Sequence, residues 1–171
     1  IGDTVSEGVN QGTDLVNSSV NFTLTDADVE NLTLIGADAI SGTGNAAANV
    51  LDGGTGADTL IGGLGNDTYI VYNVGDIVTE TSALATEIDG VQSSVTYTLG
   101  ANVENLTLSG NAVIDGTGNE LANVLHGNSS VNTLNGLDGN DTIYAGDSDT
   151  AHGGNGNDTL ISENIGTWSD L

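Results

Sequence analysis

Gly53-Gly54-Thr55-Gly56-Ala57-Asp58-Thr59-Leu60-Ile61 runs directly into Gly62-Gly63-Leu64-Gly65-Asn66-Asp67-Thr68-Tyr69-Ile70, and this pair of nonapeptides decides the fold. Each splits into six turn-forming residues and a three-residue end. Glycine supplies the positive-φ conformations a sharp turn demands. A Thr-Leu-Ile type of ending favours extended backbone, with its middle residue on one face and its neighbours on the other. Two nonapeptides therefore close one coil, with a turn on each side, and every turn stacks on the turn 18 residues further along. A single coil cannot bury its apolar row, and stacked neighbours complete it. The prediction is an all-β, parallel β-solenoid whose inward row includes Leu60, Tyr69, Val78, Ile143 and Leu160.

The nine-residue beat continues in both directions. One step beyond Asp67 lies Asp76, ahead of Ile77-Val78-Thr79; one step before Asp58 lies Asn49, ahead of Val50-Leu51. A second series runs Asn132, Asp141, Asp149 and Asp158, with steps of 9, 8 and 9. A longer period encloses the short one. Val29-Glu30-Asn31-Leu32-Thr33-Leu34 returns as Val103-Glu104-Asn105-Leu106-Thr107-Leu108, an offset of 74, and residues 29–70 share 24 of 42 positions with 103–144. The expected organisation is one continuous solenoid over residues 1–171. It holds two copies of this unit (about 1–73 and 74–145), a terminal nonapeptide block at 146–161 and a tail at 162–171. Alternation at Val20, Phe22, Leu24 and at Val95, Tyr97, Leu99 predicts further strands outside the nonapeptides.

Composition narrows the function classes. The 171 residues hold 24 acidic side chains and no Lys or Arg, a formal charge of −24, so no cation is available to neutralise nucleic-acid phosphates or an anionic membrane. Zero Cys removes disulfides, thiol catalysis and Cys-based metal clusters. No run of 18 apolar residues or basic-plus-apolar leader occurs, and the lack of Met predicts a piece of a longer or processed protein. His126 and His152 are the only bases titrating near neutrality, and neither a His-Glu-x-x-His nor a Gly-x-Ser-x-Gly motif is present, so the expectation is no enzyme.

An all-acidic chain must find positive charge elsewhere. A turn that gathers glycine carbonyls and one carboxylate presents only oxygen, and two such turns one coil apart offer about six oxygens, a set suited to calcium. The spacing pairs Asp58 with Asp76 and Asp141 with Asp158. It pairs Asn49 with Asp67 and Asn132 with Asp149, where one anion fewer predicts weaker binding.

The tandem nonapeptides at Gly53–Ile61, Gly62–Ile70 and Gly153–Ile161 follow Gly-Gly-x-Gly-x-Asp-x-apolar-x, and Gly136–Tyr144 departs only where Leu137 replaces the second Gly. In this the chain resembles the repeat-in-toxin (RTX, haemolysin-type) family, and its 74-residue unit resembles the longer repeats of large secreted and surface proteins of that family. The resemblance implies a right-handed parallel β-roll with Ca²⁺ between turns, in a bacterial protein exported unfolded by type I secretion. The residues placed at the metal are Gly54, Gly56, Asp58, Gly63, Gly65, Asp67, Asp76, Gly139, Asp141, Asp149, Gly154, Gly156 and Asp158. Residues 127–132 have lost two Gly and the Asp, which predicts a structural turn with weak or no calcium. The turn before Asp149 is one residue short, which predicts a displaced carboxylate. Glu7, Glu30, Glu80 and Glu104 recur with the long period, as coil-corner residues bonding backbone amides or, as the second reading, as calcium ligands.

The function expected is a calcium-binding structural repeat module of a secreted or cell-surface protein, folding on calcium outside the cell. Two alternatives stay open: the non-catalytic repeat domain of a secreted hydrolase or polysaccharide-modifying enzyme, and a subunit of a surface layer, adhesin or filament. End-to-end self-association and cell-surface polysaccharide are the candidate partners beside calcium, with no nucleic acid and no membrane insertion. Trp168, beyond the last repeat, is a candidate cap.

Overall fold

The computed structural model describes residues 5–8, 12–84 and 86–162; Trp168 lies outside them. Nine parallel strands form one long sheet: β1 (Leu15–Ser18), β3 (Asn31–Leu34), β5 (Val50–Asp52), β7 (Thr68–Val71), β9 (Gly90–Ser93), β11 (Asn105–Leu108), β13 (Val124–His126), β15 (Thr142–Ala145) and β17 (Thr159–Ser162). The opposite face carries two four-stranded parallel sheets. One is β2 (Phe22–Thr23), β4 (Ser41–Thr43), β6 (Thr59–Ile61) and β8 (Ile77–Thr79); the other is β10 (Tyr97–Thr98), β12 (Gly116–Thr117), β14 (Thr133–Asp138) and β16 (Thr150–Asn155). The chain alternates between faces strand by strand. It is a β-solenoid of about eight coils, with no helix among the described residues.

Register follows the spacing. Val50, Leu51 and Asp52 pair with Thr68, Tyr69 and Ile70, and Thr59, Leu60 and Ile61 with Ile77, Val78 and Thr79, each 18 residues on. The step widens to 22 at Thr68↔Gly90 and shrinks to 15 at Gly90↔Asn105. The wide step comes from a ten-residue connection, residues 80–89, between β8 and β9, where the equivalent connections 44–49, 62–67 and 118–123 have six residues; the narrow step comes from the three-residue link 94–96 between β9 and β10. At that place the second face breaks between β8 and β10 while the long sheet continues.

The core is a file of single side chains one coil apart. Val16, Leu32, Leu51, Tyr69, Val91, Leu106, Leu125 and Ile143 succeed one another in register along the long sheet, all buried. Leu60, Val78 and Leu134 face them from the other side. In the Gly-Thr-Gly-Asn stretches the first glycine stands in that facing row. A Cβ on Gly42 would lie 3.0 Å from Leu32 Cδ2, and one on Gly116 3.0 Å from Leu106 Cδ2, so these glycines leave room for the leucines opposite.

Three expectations are corrected at the edges. Leu160 pairs in register with Ile143 yet is 55% exposed, because no further coil among the described residues covers it. Val20 is exposed, and β2 and β10 are only two residues long, so the alternation there yields shorter strands than its period suggests. On the outside of the long sheet His126 stacks on Tyr144 with ring centroids 4.1 Å apart; His152 is exposed.

Candidate metal sites in the turns

The residue immediately before each strand of the long sheet is acidic or Asn: Asp14, Glu30, Asn49, Asp67, Asp89, Glu104, Asn123, Asp141 and Asp158. Most are tied to the coil before by one device. A carboxylate oxygen reaches back and accepts the main-chain N–H of its counterpart: Asp67 from Asn49 at 2.8 Å, Asp89 from Asp67 at 2.7 Å, Glu104 from Asp89 at 2.8 Å, Asp141 from Asn123 at 2.8 Å and Asp158 from Asp141 at 3.0 Å. The other edge repeats it, with Asp58 accepting from Ile40 at 2.9 Å, Asp76 from Asp58 at 2.9 Å and Asp149 from Asn132 at 2.8 Å. Hydrogen bonds to an ionised acceptor are the strong kind, so one oxygen of each carboxylate pins successive coils.

The second oxygens differ. Asp76 Oδ2 accepts from Tyr72 and Asn73 N–H at 3.2 and 3.0 Å, and Asp149 Oδ2 from Gly146 N–H at 2.7 Å. Asp67 Oδ2 and Asp141 Oδ2 are fully buried with no hydrogen-bond partner. An orphaned buried carboxylate oxygen is costly. Around Asp141 the surroundings are oxygen: a Cβ on Gly136 would overlap both Asp141 Oδ2 and the Gly153 carbonyl. This donor set fits a hard divalent cation and offers no nitrogen or sulfur to a softer one.

All four pairings expected from spacing are in contact, Asp58 with Asp76, Asp141 with Asp158, Asn49 with Asp67 and Asn132 with Asp149. Asn49 and Asn132, however, face their partners through main-chain N–H and keep their side-chain oxygens for their own turns, accepting from Asn45 and Asn128. Of the candidate glycines, Gly54, Gly63, Gly65, Gly139, Gly154 and Gly156 have positive φ, whereas Gly56 does not. Leu137, at the position of Gly63, is held at φ 81°. Asp149 is not displaced: Ser148 takes φ 72°, so five residues span the turn and the carboxylate stays in register.

The carboxylates are strained electrostatically. Burial, helped by neighbouring Asp89, Glu80 and Glu87, pushes Asp67 up to about 7, and burial with Glu80, Glu104 and Glu87 nearby pushes Asp89 up to about 6. Burial also raises Asp58, Glu104 and Asp141 from their ordinary values, with Asp76, Glu80 and Asp158 respectively adding like charge. Each is offset in part by the N–H it accepts.

Sequence reasoning missed Asp89. The ten-residue connection moves it off the nine-residue beat, yet it takes the register position after Asp67. With Glu80 and Asp67 it forms a buried group whose carboxylate oxygens lie within 4.8 Å of one another. Glu30, Glu80 and Glu104 bond backbone amides, of Asp14, Ser82 and Asp89, and Glu80 also accepts the Tyr69 hydroxyl at 2.6 Å.

A second kind of turn is closed by amide side chains. In 44–49, 118–123 and 127–132 the pattern is Gly-Asn-x-x-x-Asn. Asn119 Nδ2 donates to the Gly100 and Val103 carbonyls, its Oδ1 accepts from Leu121 N–H, and Asn123 Oδ1 accepts from Asn119 N–H. Asn45/Asn49 and Asn128/Asn132 repeat the arrangement.

Comparison with known families agrees with the turn chemistry. The family model described as RTX calcium-binding nonapeptide repeat (4 copies) matches residues 43–71, 117–148 and 146–164, which include every Gly-Gly-x-Gly-x-Asp turn. Neither curated proteins nor solved structures returned a match. The chain is a β-solenoid that carries RTX calcium-binding nonapeptide repeats in these segments.

Proposed function

We propose that this chain is the structural, calcium-folded module of a secreted or cell-surface bacterial protein. The observation that carries the reading is the orphaned, fully buried Oδ2 of Asp67 and of Asp141 in a sequence with no Lys or Arg. In this reading Ca²⁺ is held by the carboxylates of Asp58, Asp67, Asp76, Asp141, Asp149 and Asp158, with main-chain oxygens of the glycine turns completing its shell. Asp67 and Asp141 are the strongest anchors, since each keeps an oxygen free of protein donors. Each ion supplies two positive charges between coils that otherwise repel, so binding free energy becomes folding free energy.

Extracellular calcium modules bind at about 10⁻⁴–10⁻³ M, which leaves such a chain expanded at cytosolic calcium and folded outside. That behaviour suits export of an unfolded chain and supports the type I route. The RTX repeat is a structural repeat type, and the module's role here is non-catalytic. A hydrolase's repeat domain and a surface-layer subunit would both use this same module; they differ in what it is joined to. Limited proteolysis tests the reading: the chain should resist cleavage in millimolar calcium and be degraded throughout in chelator. Equal resistance in both would overturn it.

A further inference from the structure

The nonapeptide turns do not account for the group formed at the ten-residue connection. Asp67 stands before β7, Asp89 before β9 one coil on, and Glu80 directly after β8. Their ligand oxygens lie within 4.8 Å of one another, and their exposures are 1%, 2% and 6%. The position after the second-face strand is glycine after β4, β6 and β12, at Gly44, Gly62 and Gly118, and leucine after β2 and β10; after β8 it is Glu, one coil beyond Gly62. Gly62 in turn is required as glycine, because a Cβ there would overlap Asp67 Oδ2, Glu80 Oε2 and the Tyr69 hydroxyl.

A group of carboxylates alone is no site. The second observation is Asp67 Oδ2, which is fully buried, has no hydrogen-bond partner and adjoins Glu80 Oε2 over Gly62. One oxygen of each carboxylate is held by a main-chain donor: Asp67 Oδ1 by Asn49 N–H, Asp89 Oδ1 by Asp67 N–H, and Glu80 Oε1 by Ser82 N–H. Of the second oxygens, Glu80 Oε2 accepts the Tyr69 hydroxyl, and Asp67 Oδ2 has no donor.

We propose that Glu80 and Asp89 join Asp67 around the calcium ion that Asp67 anchors, so that this ion takes three side-chain carboxylates and clamps the ten-residue connection to the coils on either side. It differs from the other turn sites in taking three carboxylates, two of them from outside the nonapeptide pattern. Three anionic ligands at one buried point favour tighter binding than a turn with a single carboxylate. The inference rests on the calcium reading above.

Its geometry supplies a probe. Tyr69 donates its hydroxyl hydrogen to Glu80 Oε2, so a terbium ion taking the place of calcium sits beside the Tyr69 ring and is excited through it. Full-length chain is titrated with Ca²⁺ by calorimetry and with Tb³⁺ by tyrosine-excited luminescence, alongside Glu80→Gln, Asp89→Asn and Tyr69→Phe. The expected result is one calcium equivalent fewer in Glu80→Gln and in Asp89→Asn, and loss of the larger part of tyrosine-excited terbium emission in Tyr69→Phe with its calcium count unchanged. An unchanged calcium count in both carboxamide variants, or unchanged emission in Tyr69→Phe, overturns the site. If the carboxamide variants do not fold, the Tyr69→Phe arm decides alone. Calcium uptake at the turns with no Tyr69-dependent emission removes this site and leaves the calcium reading intact. Absence of any calcium uptake removes that reading instead.

Discussion

The turn at 118–123 and the turn at 136–141 stack on one another in the same edge of the solenoid and solve the same problem by different chemistry. In the first, Asn119 and Asn123 bring both donors and acceptors, so their amides bond the Gly100, Val103 and Glu104 carbonyls and the local N–H groups. In the second, Asp141 brings acceptors only; one oxygen takes Asn123 N–H and the other is buried without a partner. A carboxamide closes its turn with protein alone, whereas a carboxylate leaves a charge that needs a cation. On the proposed reading, the mixture of the two along the edge leaves the coil stack partly self-sufficient and partly dependent on calcium.

The comparison breaks if the two turns respond alike to mutation. Asn123→Ala strands the Asn119 N–H and removes one of the two bonds to each of the Val103 and Glu104 carbonyls, and should cost about 1–3 kcal/mol while leaving the slope of stability against log calcium concentration unchanged. Asp141→Ala should instead lower that slope by about one ion. Denaturant unfolding at several calcium concentrations measures both; equal slopes in the two variants contradict the division.

Proton binding sharpens the same contrast, because only carboxylate turns titrate. Without calcium the folded coils keep a proton on Asp67 to about pH 7 and on Asp89 to about pH 6, against 3.8 for the unfolded reference. The folded state then binds more protons than the unfolded state across that window. Calcium-free stability is therefore highest below about pH 4 and falls as pH rises through 6 to 7. Strand content in calcium-stripped buffer should be greater at pH 5 than at pH 7.5, and a rise with pH would contradict the burial of these groups.

The smallest expected effect concerns one departure from the glycine pattern. Leu137 is held at φ 81°, a conformation costing about 1–2 kcal/mol for a residue with a Cβ, part of which glycine returns as unfolded-state entropy. Leu137→Gly should raise stability in saturating calcium by about 0.5–1 kcal/mol. A loss of stability would mean that the half-exposed leucine side chain matters more than its backbone.

Much of this architecture is legible in the nonapeptides themselves. A nine-residue beat ending in three extended residues sets the coil, and β5–β7 and β6–β8 pair at the step of 18 it implies. Asp58, Asp76, Asp141 and Asp158 meet as their spacing requires. What the pattern hides is of two kinds. Asp89 lies 22 residues after Asp67, so counting by nines passes over it although the sheet brings it into register. Asn49 and Asn132 read as carboxylates that have lost their charge, but their amide hydrogens are what matter, and those bonds run to carbonyls 18 to 20 residues away that no local pattern names. Ser148 shows the converse, since one residue at φ 72° absorbs a deletion that spacing alone takes for a displaced Asp149.

The central claim is that bound calcium is the positive charge holding these coils together. Far-UV circular dichroism of the chain at neutral pH, titrated from excess chelator into millimolar calcium, tests it most directly. The account predicts an expanded chain that gains parallel-strand signal cooperatively as calcium is added. Full strand signal already present in chelator, unchanged by calcium, would contradict it.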